Sequence, residues 1–192
     1  MKIMFICTGN ICRSAMAHGL LEKKLEDNRI NNVEVYSCGI YASIGDMPTY
    51  EARRVMEEYD VDIKRHRATN IRYSNIKDMD LILCATTNHK NEVIHMYPEL
   101  KDKVFTLKEY VNYNRENHNS LDIKDPWGYD IDTYRSCASE IDECLELLIN
   151  KLKWLENTHN NIIFVSIFYT FNMRKHVLKI IEIYWQLNLK NI

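Results

Sequence analysis

The run Ile3-Met4-Phe5-Ile6 carries no polar residue to turn toward water, so as a strand it must be covered on both faces. A strand of that kind belongs in a parallel sheet with helices on either side. Directly after it comes Cys7-Thr8-Gly9-Asn10-Ile11-Cys12-Arg13-Ser14, rich in small and turn-forming residues. From Ser14 onward Ala17, Leu20, Leu21 and Leu25 recur at helical spacing. The segment therefore reads as strand, loop and helix. Such a unit delivers the loop to the carboxyl edge of the sheet and aims its backbone N–H groups, with the helix N-terminus, at one small volume. An anion fits there.

The residue types in the loop suit chemistry on that anion. A cysteine attacks as its thiolate, which a helix N-terminus and a neighbouring cation both stabilise. Cys7 has both. Arg13, six positions on, offers a planar fork of donors able to hold two phosphate oxygens. Gly9 lets the backbone approach the anion closely. The Ser14 hydroxyl can hydrogen-bond the thiolate, both at rest and when it leaves. Cys12 stands five residues from Cys7, near enough for a reversible disulfide that would protect the nucleophile under oxidant.

The rest of the chain repeats the strand-and-helix alternation. Val33-Glu34-Val35-Tyr36 reads as a second strand, Ala52, Val55, Met56 and Tyr59 as one helix face, and Leu81 to Ala85 as a third strand. Val93, Met96 and Tyr97 suggest a helix ending near Pro98, and Val104-Phe105-Thr106-Leu107 a fourth strand. Tyr134, Ala138, Ile141, Leu145, Leu148, Leu152 and Leu155 mark one long amphipathic helix packed on the sheet. The predicted fold is α/β, a doubly wound four-stranded parallel sheet with helices on both faces, hence a three-layer sandwich. With 192 residues, 46% of them hydrophobic, the chain can bury one sizeable core, and a net charge of −2 implies no nucleic-acid surface.

In sequence, Cys7 to Ser14 resembles the phosphate loop of the low-molecular-weight protein phosphatases, including its second cysteine. Tyr36-Ser37-Cys38-Gly39, Asp80 to Leu83, Val104 to Tyr110 and Asp125-Pro126-Trp127-Gly128 follow in the family's order and approximate spacing, so the likeness covers residues 1–155. It implies a phosphoprotein phosphatase without cofactor, with a phosphorylated protein as substrate. The family's general acid, an aspartate before a proline and an aromatic residue, maps onto Asp125. That carboxylate would protonate the departing atom and then take a proton from the attacking water. Catalysis is thus assigned to Cys7, Arg13 and Asp125. Thr8, Gly9, Asn10, Ile11, Cys12, Ser14, Trp127 and Tyr41 are assigned to phosphate and substrate, while Ser37 and His66, with Asn10, brace the loop.

Substrate choice turns on Ile11. Val104 to Tyr110 looks close to the protein-arginine phosphatase branch, yet that branch typically has threonine where Ile11 stands, and isoleucine is the tyrosine-phosphatase choice. Ile11 would give the cleft an apolar wall suited to an aryl ring, with Trp127 and Tyr41 adding aromatic surface. Gly128 occupies the position where some tyrosine-specific members place a second aromatic, and Ala15 replaces a usual proline in the first helical turn. Phosphotyrosine is the leading expectation and phosphoarginine the alternative. A thioredoxin-coupled arsenate reductase would use Cys84 as a relay, but Thr86-Thr87-Asn88-His89 lacks the next cysteine. A non-catalytic phosphate-binding module would not need nucleophile, arginine and acid together.

The N-terminus lacks the layout of a signal peptide, and a reactive thiolate requires a reducing compartment, so a cytoplasmic protein with free thiols is expected, along with a reducing partner for any Cys7–Cys12 disulfide. No metal site is expected: His89 and His95, six apart, do not share a helix face at ligand spacing. Cys38, Cys137 and Cys144 read as packing residues. Residues 156–192 lie beyond the family's usual end. Ile162 to Phe171, rich in β-branched and aromatic residues, and the periodic stretch of Val177, Ile180, Ile181 and Tyr184 read as an appended strand and helix or a loosely packed tail, with a peripheral amphipathic segment as the alternative. The apolar run is too short to span a membrane.

Overall fold

A computed structural model describes residues 1–113 and 120–169, with side chains through residue 155. Four strands form one parallel sheet: β1 (Lys2–Cys7), β2 (Glu34–Gly39), β3 (Leu81–Cys84) and β4 (Val104–Thr106), in the order β2-β1-β3-β4. The helices are α1 (Arg13–Asp27), α2 (Tyr50–Glu58), α3 (Thr87–Met96), the single turn α4 (Leu107–Tyr110) and α5 (Ile131–Tyr169). The first strand lies in the interior of the sheet, as its unbroken apolar run requires, and all residues from Ile3 to Cys7 are buried.

Alternation along β1 fills two cores. Met4 and Ile6 join Cys38, Ile40, Ile71, Met79, Ile82 and Val93 on one face. Phe5 and Leu83, on the other, border a small void with Ala17 of α1 and Ile141 of α5. The inward row of α5 is as the heptad-like spacing predicts through Leu148, with Tyr134, Ala138, Ile141, Leu145 and Leu148 all buried. Each buried Ile or Leu side chain contributes about 1.5–3 kcal/mol by leaving water. Leu155, expected in that row, is instead exposed.

The chain divides into two compact units, Met1–Asn150 and a second beginning at Lys151. The strand expected from Ile162 is not formed: the backbone is helical through Tyr169. Neither glycine nor proline interrupts residues 131–169, so extending a helix already nucleated outweighs the β-preference of Ile162, Ile163 and Val165. The remainder of that segment and the stretch from Val177 to Tyr184 lie outside the described residues. No helix among the described residues is long and apolar enough to cross a membrane.

Candidate active site

Register builds the site at the carboxyl ends of the strands. Cys7, the last residue of β1, pairs with Gly39 of β2, and Ile6 pairs with Cys84 of β3. Gly39 is required there, because a Cβ at that position would stand 2.6 Å from the Thr8 carbonyl oxygen and 2.8 Å from the Asn10 amide nitrogen. The loop then turns through Asn10, whose φ of 57° is left-handed, and enters α1 at Arg13. No side chain caps that helix and no acid occupies its first turn, which leaves its positive end to a ligand.

Cys7 is buried, with its sulfur 2.9 Å from the Ser14 hydroxyl, and it accepts the Asn10 backbone N–H at 3.3 Å. Asn10 is the hub behind the loop. Its side-chain amide donates to Ser14 at 2.9 Å and to Ser37 at 3.0 Å, and its side-chain oxygen accepts the Thr69 N–H. His66 Nε2 meets the Asn10 carbonyl at 3.0 Å. Ser37 and His66 therefore both bear on the one loop residue in a strained backbone region. His18, which the sequence reading did not single out, adds a third support through Ser37 at 3.1 Å.

Arg13 is buried and donates through Nη1 to the Ile123 carbonyl and through Nη2 to Asp125 at 2.5 Å. Its Nε is buried with no partner among the described residues. Asp125 is half exposed, its other oxygen accepting the Trp127 N–H. A cleft of about 300 Å³ is lined by Cys7, Arg13 and Asp125 together with Ile11, Tyr41 and Trp127. Thr8, Gly9 and Cys12 also line it, as do Ser43 and Asp46, which carry no sequence motif. All the anticipated site residues thus either line this cleft or brace its loop.

Cys12 is buried with its sulfur 3.3 Å from the Tyr134 hydroxyl, and burial pushes its thiol up to about 11. His89 is the main residue the sequence reading missed. It lies in the first turn of α3, is buried, and joins the loop through Thr8 Oγ1 at 2.9 Å. Burial, reinforced by the nearby charge of Arg13, lowers its pKa to about 4. Cys38, Cys137 and Cys144 are buried packing residues. Among the described residues no group of three or more His, Cys, Asp or Glu could hold a metal ion.

The family model for low molecular weight phosphotyrosine protein phosphatases matches residues 2–158. A protein-arginine-phosphatase of Geobacillus stearothermophilus is 36% identical over 152 residues, 79% of this chain and 96% of that protein. A low molecular weight protein-tyrosine-phosphatase of Staphylococcus haemolyticus is 35% identical over 155 residues, 80% of this chain and 98% of its own. Among solved structures, the arginine phosphatase from Geobacillus stearothermophilus superimposes with a TM-score of 0.74 at 35% identity, covering 82% of this chain and 96% of that one. The low molecular weight protein tyrosine phosphatase from T. tengcongensis gives 0.71 at 36% identity, covering 79% and 99%. The chain belongs to the low molecular weight phosphotyrosine protein phosphatase family.

Proposed function

We propose that this protein hydrolyses phosphotyrosine in phosphorylated proteins through a cysteinyl-phosphate intermediate. The observation that carries the reading is the cleft itself, in which Ile11 and the aromatic side chains of Tyr41 and Trp127 line the same space as Cys7 and Arg13. A phosphate entering it takes up the loop N–H groups and the free guanidinium donor. Arg13 exchanges the Asp125 carboxylate for phosphate oxygens, and the released Asp125 takes the proton of the monoanionic phosphate monoester and turns toward the leaving oxygen. The Cys7 thiolate attacks phosphorus, the P–O bond to the ring breaks, and Asp125 supplies the proton that the phenolate oxygen takes. Asp125 then accepts a proton from water as water attacks the cysteinyl phosphate, and the S–P bond breaks to return the thiolate. The Ser14 hydroxyl stabilises that thiolate at 2.9 Å.

A specific observation favours the second reading, phosphoarginine: two carboxylates, Asp46 and Asp125, reach the cleft and would complement a guanidinium. The Geobacillus relative is named for that activity. Assay of one peptide phosphorylated on tyrosine and one on arginine decides between them, and a hundredfold preference for phosphoarginine would refute our choice. The arsenate-reductase reading is weakened by Cys84, which is fully buried in the sheet and pushed far up in pKa by that burial. Cys7→Ser is expected to abolish turnover while retaining phosphate binding, and undiminished hydrolysis would sink the mechanism.

The same proposal includes a phosphatase domain over residues 1–155, an extension over 156–192 dispensable for catalysis, and a cytoplasmic, reducing location. It also includes protection of Cys7 by a disulfide to Cys12, reopened by a cellular dithiol.

A further inference from the structure

We propose that His89 is a positioning residue of the phosphate site, holding the Thr8 hydroxyl so that its hydrogen points into the cleft as a donor to a phosphoryl oxygen. The inference rests on the phosphatase reading above. It begins from a hydrogen bond that links two segments 81 residues apart. Thr8 follows the nucleophile, lines the cleft and is exposed. Behind it, His89 Nε2 lies 2.9 Å from Thr8 Oγ1, and His89 Nδ1 lies 2.8 Å from Thr86 Oγ1. Thr86 is also the N-cap of α3, where its hydroxyl oxygen accepts the His89 backbone N–H at 3.2 Å.

Counting hydrogens assigns the ring's tautomer. With the proton on Nδ1, Thr86 Oγ1 would receive two hydrogens, and its own would find no acceptor among the described residues. With the proton on Nε2, Thr86 donates to Nδ1 while accepting the backbone N–H, and the one hydrogen left without a protein partner is that of Thr8, which is exposed where Thr86 is half-buried. In that arrangement Nε2–H donates to Thr8 Oγ1. The Thr8 hydrogen is then spared from the protein and free to turn into the cleft. Phosphoryl oxygens only accept hydrogen bonds, whereas a guanidinium only donates, so the arrangement serves the phosphoryl end of the substrate. Burial and the nearby Arg13 keep the ring neutral, which preserves one donor and one acceptor nitrogen above about pH 4.

The test has two arms. In the wild-type protein, ¹⁵N-histidine NMR reads the tautomer directly, and a proton on Nδ1 of His89 would overturn the proposal whether or not any variant folds. In the second, Thr8→Val, His89→Leu, His89→Gln and the Thr8→Val/His89→Leu pair are compared by kcat/KM on p-nitrophenyl phosphate and by orthovanadate affinity. Loss of one hydrogen bond to a charged phosphoryl group predicts about a tenfold fall for Thr8→Val and for His89→Leu, seen in both readouts. Because His89 acts through Thr8, the double variant falls no further than the single ones, and His89→Gln, which keeps a donor at the Nε2 position, recovers most of the loss. Multiplying losses in the double variant, or wild-type affinity for orthovanadate in Thr8→Val, would overturn it. A wild-type protein that binds orthovanadate but hydrolyses no phosphate monoester would instead refute the phosphatase reading and leave the proposal for His89 to be judged by the ring NMR and orthovanadate measurements.

Discussion

His89 should make the fold acid-sensitive, by an amount that can be worked out. Its ring is buried between Thr8 and Thr86, with Arg13 near and with Glu92, Asp122 and Asp125 as the acids that partly offset the effect. In the unfolded chain the ring takes a proton as pH falls through 6.5, whereas in the folded chain it does so only near 4. The unfolded state therefore binds more protons between those values. Stability is fully present above about pH 6.5 and is lost as pH falls toward 4. At 1.36 kcal/mol per pK unit, the loss attributable to this ring between pH 7 and pH 4.5 is about 2.5 kcal/mol. Urea denaturation of the wild type and of His89→Gln at the two pH values isolates it, because carboxylates and other histidines titrate in both proteins. The wild type should lose about 2.5 kcal/mol more than the variant. A double difference near zero would show that the ring is hydrated in the native state and refute the argument.

Asp125→Asn should lower kcat by about 10²–10⁴-fold on a poor leaving group and much less on p-nitrophenyl phosphate, whose leaving oxygen needs no proton; equal losses on both would remove Asp125 from the acid role. Gly39→Ala should cost about 1–3 kcal/mol in thermal or urea unfolding and weaken orthovanadate binding, because the new methyl meets backbone atoms of Thr8 and Asn10 that cannot step aside. Truncation after residue 156 should leave kcat/KM unchanged, and a folded but inactive product would show that the extension completes the site. Peroxide inactivation should be reversed by dithiothreitol in the wild type and become irreversible in Cys12→Ala; wild-type activity that dithiothreitol cannot restore would deny Cys12 its protective role.

What could be read in the sequence was whatever a single local segment encodes. The β1, loop and α1 unit carries its own strand run, turn residues and helical spacing, so Cys7 and Arg13 could be placed without knowing the rest of the fold. Asp125 reaches Arg13 across 112 residues, and only the family resemblance linked the two in advance. Ser37 and His66 became legible the same way, although their contacts with Asn10 follow from the β1–β2 pairing and the bridge between Gly39 and Asn70. Composition misled in the extension, where β-branched residues sit on a helix that had no local reason to stop.

His89 was missed for a physical reason that separates it from those cases. Thr86 caps α3 by accepting the His89 backbone N–H, but a cap says only where α3 begins, not which loop its first turn will face. That is decided by the sheet order, in which β3 lies beside β1 and brings the start of α3 to the carboxyl edge from which the phosphate loop also springs. Parallel order therefore does more than align strands: it gathers the loop after β1 and the cap after β3 at one edge. Groups far apart in the chain meet there, and a hydrogen-bond accounting of that edge finds chemistry that spacing along the chain cannot.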